Sequence, residues 1–66
     1  MSKWYECAIE NDGIIFSCLV FSKNKKQAQS DAVERIWQRT NHDPTWSGEV
    51  EITIREAKFV NGERVS

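Results

Sequence analysis

The longest apolar stretch of this chain, Ile14 to Phe21, spans only eight residues. A helix that crosses a bilayer needs roughly 20, so no membrane-spanning helix is expected. Glycine and proline are scarce, at three and one, and all fall where turns are expected. No phosphate loop or dinucleotide fingerprint can be built from them. Histidine occurs once and cysteine twice, too few for a four-ligand zinc site. No metal or cofactor is therefore implied. An excess of one charge is also missing, since the net charge is -1. A domain that binds nucleic acid is usually strongly basic.

These absences make an enzyme the least expected class. A nucleophile pair can be drawn from Cys18 and His42, but no third group frames it. Both cysteines fall on the inward face of expected strands, where cysteine commonly serves as a small buried hydrophobe. The start, Lys3-Trp4-Tyr5-Glu6, does not read as a secretory leader. A cytoplasmic, reducing compartment is then the default, and Cys7 and Cys18 are expected as thiols rather than a disulfide.

What remains is a single small domain, residues 1–66, near the lower limit for a self-supporting core. The hydrophobic share of 39%, with three Trp and three Phe, is that of a globular chain rather than a disordered one. Charge is unevenly spread. Residues 22–40 sum to +3 and the remainder to -4.

Residues 3–10 and 14–21 alternate as strands, and Asn11-Asp12-Gly13 marks the turn between them. A two-residue loop sets Cys7 opposite Cys18; a four-residue loop sets it opposite Phe16. The two registers differ by an even step, so both keep the same faces. One face holds Tyr5, Cys7, Ile9, Phe16, Cys18 and Val20. The other holds Trp4, Glu6, Ala8, Ile15, Ser17, Leu19 and Phe21.

Residues 24–40 carry Ala28, Ala32, Val33, Ile36 and Trp37 at helical spacing. Asn24 with Gln27 resembles a capping box, with Ser22 as a rival cap. Asp31 and Arg35 are spaced to pair, and Asn41 suits a left-handed helix end. A loop over 41–48 leads to a third strand, 49–55, with Val50, Ile52 and Ile54 inward. Parity breaks after Glu56, which a β-bulge would explain. Asn61-Gly62 predicts a short closing hairpin. The expected fold is α+β, β-β-α-β with a possible fourth strand: one helix on one face of a small, mostly antiparallel sheet. Either of the first two strands can be central; the apolar second strand favours its own burial.

Since one helix covers one face, Trp4, Ile15, Leu19 and Phe21 are left on the other, beside Glu6, Glu10, Glu49 and Glu51. An apolar patch rimmed by carboxylates marks an interaction site. Asp12 extends its acidic edge, and Trp46 in the long loop is a candidate anchor. Three occupants fit: a protein partner, a second copy forming a homodimer, or the chain's own C-terminal segment with Phe59 and Val65. A second candidate site is the basic helix start. Lys23, Lys25 and Lys26 lie where anions bind, and Arg35 and Arg39 follow on the helix, so direct nucleic-acid binding is the alternative.

A β-β-α-β chain of this size with acidic strands resembles the small phage-encoded inhibitors of host defence, including the anti-CRISPR proteins. The resemblance rests on size, layout and charge. It implies a stoichiometric, non-enzymatic binder that occludes the nucleic-acid-binding surface of a larger complex. The carboxylates Glu6, Glu10, Asp12, Glu49 and Glu51 would then stand in for phosphates. The near-neutral net charge and the lysines at 23–26 depart from a strong mimic.

Overall fold

A computed structural model describes residues 1–46 and 49–66. Ser47 and Gly48, the end of the expected loop, lie outside the described residues. The elements are β1 (Lys3–Asn11), β2 (Ile14–Ser22), α1 (Lys25–Thr40), β3 (Val50–Glu56), β4 (Phe59–Val60) and β5 (Glu63–Arg64). The first three strands form an antiparallel sheet in the order β2-β1-β3, and β4 and β5 form a separate hairpin. The α+β expectation therefore holds.

Local chemistry sets the turns. Asp12 and Gly13 both take positive φ, 52° and 82°, and Asn61 and Gly62 repeat the pattern at 51° and 83°. Two positive-φ residues in a row make the tight hairpin turn whose twist matches that of the strands. The two-residue loop fixes the first register, with Cys7 opposite Cys18. Asn24 caps the helix, its side chain accepting from the Gln27 amide at 2.8 Å. Asn41 ends it in the left-handed region at φ 59°.

The first strand, not the second, is central. β2 lies at an edge because α1 supplies partners for it. Arg39 donates to the Ser17 carbonyl at 3.2 Å, and Arg35 donates to the Leu19 carbonyl. Arg35 is thus not paired with Asp31 as spacing suggests. Asp31 accepts instead from Ser22 Oγ at 2.6 Å and from Gln27 at 2.9 Å. Ser22 therefore anchors the helix from the strand rather than capping it. The parity change after β3 also has a simpler cause than a bulge. β3 keeps register to Glu56, which faces Tyr5, and ends there. Ala57 then donates to the Trp4 carbonyl at 2.9 Å and is buried.

The core lies between α1 and the inward sheet face. Tyr5, Cys7, Ile9 and Val20 are buried from the strands, and Ala28, Ala32 and Ile36 from the helix. Phe16, Cys18, Val50, Ile52 and Ile54 are half-buried at its margins. Trp37, expected on the apolar stripe, is 50% exposed; the buried stripe is the narrower one through the two alanines and Ile36. At the turn end, buried Asn11 donates from Nδ2 to the Pro44 carbonyl at 2.6 Å. This contact ties the loop after the helix to the hairpin.

Cys7 gives the core a pH dependence. Burial, then the facing Cys18 thiol, pushes its pKa up from 9.0 to about 11. The folded state holds the proton more tightly, so the contribution is full below about pH 9 and lost as pH rises to about 11. Stability is expected to fall by about 2–3 kcal/mol over that interval from this group. Urea unfolding across the interval checks it. Cys7→Ala should remove that part of the fall; an unchanged pH dependence would place the loss elsewhere.

Candidate functional site

The helix covers only the inward face, so the outward face is set by strand alternation and register. Its rows run across β2, β1 and β3. Phe21 faces Trp4; Leu19, Glu6 and Arg55 share a row; Ser17, Ala8 and Thr53 form the next; Ile15, Glu10 and Glu51 form the last. The face therefore grades from aromatic at one end to acidic at the other.

At the aromatic end the rings of Trp4 and Phe21 lie 5.4 Å apart, tilted at 58°. The closing hairpin brings Phe59 edge-on to Trp4 at 6.0 Å. The C-terminal segment thus flanks the patch without burying it. Trp4 is 41% exposed and Phe21 58%; Ile15, in the acidic row at the far end of the face, is 69% exposed and does not join them. Val65, the other residue expected to cover the patch, stays exposed.

In the middle, Glu6 is held by two arginines. Arg64 reaches Oε2 at 2.7 Å and Arg55 reaches Oε1 at 3.0 Å. The Arg64 hydrogen bond, with a smaller contribution from Arg55, holds the Glu6 carboxyl below its ordinary range. Glu6 is therefore an internal clasp for the hairpin rather than a spare negative charge. Sequence reasoning missed both arginines here. The one signal was Asn61-Gly62, whose tight turn sends the chain back toward the sheet.

At the acidic end Glu10 lies directly opposite Glu51. Like charges facing across strands are destabilising by a few tenths of a kcal/mol. Glu10, Asp12, Glu49 and Glu51 share one surface depression with Gly13 and Val50. Among the described residues, neither Glu10 nor Glu51 forms a salt bridge.

The remaining sequence candidates lie elsewhere. Trp46 packs edge-on to Phe16 at 6.3 Å and near His42 at 6.4 Å. Phe16 belongs to the helix-side face, so Trp46, itself half-exposed, lies on that side and does not join Trp4. Lys23, Lys25 and Lys26 are exposed around the helix start, whose first turn holds no acidic residue. Arg35 and Arg39 are engaged by the β2 carbonyls and do not extend that patch.

The cysteines are free thiols. Burial raises the pKa of Cys18 as well as Cys7, which disfavours the reactive thiolate. Among the described residues no group of three or more His, Cys, Asp or Glu could hold a metal ion, and no helix is long and apolar enough to cross a membrane. Compared with known proteins, the chain matches no protein-family model, no curated sequence and no solved structure.

Proposed function

We propose that this protein is a non-enzymatic binding module, a stoichiometric inhibitor that docks its outward sheet face on a protein partner. The partner's surface is basic, of the kind a nucleic-acid-handling complex offers to phosphates. The observation that carries this reading is the exposure of Trp4 and Phe21 at one end of the sheet face and of Ile15 at the other, where Glu10 and Glu51 face each other. Exposed aromatic side chains on a fixed frame are what interface hot spots are built from. The Glu10–Glu51 repulsion would be relieved by a cationic surface and would steer its approach. The engagement of Arg35 and Arg39 by backbone carbonyls weakens the competing nucleic-acid reading, leaving Lys23, Lys25 and Lys26 to carry it.

A pull-down from nuclease-treated bacterial lysate tests this, washed at about 0.15 M salt, where charges are screened beyond roughly 8 Å. Stoichiometric recovery of a nucleic-acid-handling complex is expected, with recovery lost when Trp4 and Phe21 are both replaced by alanine. Retention of nucleic acid alone when nuclease is omitted, with a steep salt dependence, would instead assign function to the three lysines.

A further inference from the structure

The two edges of the sheet are treated differently. On β2 the outward carbonyls of Ser17 and Leu19 receive Arg39 and Arg35. That edge is closed to another strand. β3 is the opposite edge, with β1 as its one neighbour among the described residues. Its outward backbone groups follow from the register. Since the Ser17 and Leu19 carbonyls point away from β1, the Cys7–Cys18 pair is hydrogen-bonded, and the Glu6–Arg55 and Ala8–Thr53 pairs are bonded on the other side of β1. The N–H and C=O groups of Val50, Ile52 and Ile54 therefore point outward. Among the described residues, no other backbone group is hydrogen-bonded to them. An edge of seven residues with no second strand paired to it is a template for another strand.

The edge is complementary to itself. β3 runs Val50–Glu56, so its midpoint is Thr53. When two copies pair antiparallel with full overlap, Thr53 meets Thr53 of the second copy. Ile52 then meets Ile54, and Glu51 meets Arg55, each twice by symmetry. The outward face gains two opposite-charge pairs, and the helix-side face gains two isoleucine pairs. Arg55 can serve a second carboxylate because its side chain is 73% exposed and Glu6 keeps Arg64.

We infer that the protein self-associates through β3, forming a continuous six-stranded antiparallel sheet about a twofold axis at Thr53. Both helices then lie on one side, and both outward faces on the other. The occupant is a second copy because the charges match in that register. This inference does not rest on the proposed partner, and its test needs none.

Sedimentation equilibrium of the purified chain is expected to show a monomer–dimer equilibrium over about 1 µM to 1 mM. Glu51→Arg and Arg55→Glu each set like charges against each other at both symmetric sites. Each alone should raise the dimer dissociation constant about tenfold or more. An equimolar mixture of the two should recover dimerisation. In the mixed dimer one copy is cationic at both positions and the other anionic at both, so each symmetric site again pairs opposite charges. Both positions are exposed; Arg55→Glu also removes one of the two contacts to Glu6 and leaves Arg64 to hold that clasp, so circular dichroism of each variant is measured and should keep the wild-type helix and strand content. A wild-type chain that stays monomeric throughout overturns the inference. So do reversals that dimerise as tightly as wild type, or a mixture that fails to recover.

Discussion

Replacing Trp4 and Phe21 together by alanine is expected to weaken partner binding by about 100-fold or more, equivalent to about 3 kcal/mol. The two rings lie 5.4 Å apart on neighbouring strands and act as one apolar surface. Their effects should not add, because each ring positions the other. The substitution also touches the fold. Trp4 contacts both Phe21 and Phe59, and such ring pairs contribute about 0.5–1.5 kcal/mol each beyond their buried area. A lowered melting temperature is therefore expected alongside the loss of binding. Trp37→Ala separates the two effects. Trp37 is half-exposed on the helix, away from the proposed interface. Titration calorimetry against the captured complex should show near-wild-type affinity for that variant. If Trp37→Ala lost binding and the Trp4/Phe21 double variant kept it, the interface would belong to the helix side.

Glu10→Lys probes the other end of the same surface. A rim charge acts mainly on association rate and salt dependence rather than on dissociation. The aromatic pair should govern dissociation instead. That division is a consequence of the face's gradient, with apolar rings at one end and exposed carboxylates at the other.

The elements of this fold were legible wherever a short stretch of chain settles its own conformation. Asp12-Gly13 and Asn61-Gly62 accept positive φ, and each closes a tight turn. Asn24 and Asn41 act within one helical turn, so the helix ends could be read from neighbours. Face assignment followed from alternation alone. Strand order was not legible, because it depends on Arg35 and Arg39 crossing to β2 carbonyls 16 and 22 residues away. Read locally, Arg35 looked like the mate of Asp31. The candidate site was legible as an apolar–acidic face but not in its charge balance. Glu6 counts as a free carboxylate in sequence, yet Arg64 reaches it from 58 residues on. Trp46 had no local rule to place it, and its packing on Phe16 depends on how the loop after α1 returns.

The largest stability effect is expected from Ile36→Ala. Ile9 and Ile36 are the two largest fully buried side chains, and the rest of the helix's buried stripe is Ala28 and Ala32. The alanines let the helix approach the sheet closely but bury little area themselves. Ile36 is therefore the one large side chain that the helix buries fully among the described residues. Truncating a buried isoleucine costs about 2–5 kcal/mol, the lost transfer energy plus the cavity left behind. A domain of this size rarely gains more than about 3–5 kcal/mol from its core. The substitution should leave the chain largely unfolded or with loosened packing, whereas Ile36→Val should cost about 0.5–1.5 kcal/mol and stay folded. Thermal melts followed by circular dichroism check the series, since each kcal/mol shifts the midpoint by roughly 4–8 °C in a domain this small. A melting temperature for Ile36→Ala within a few degrees of wild type would mean that the helix is held by its arginines and caps rather than by this side chain. The order wild type, Val, Ala, in steps that grow with the volume removed, is the outcome expected of a core whose larger residues are few.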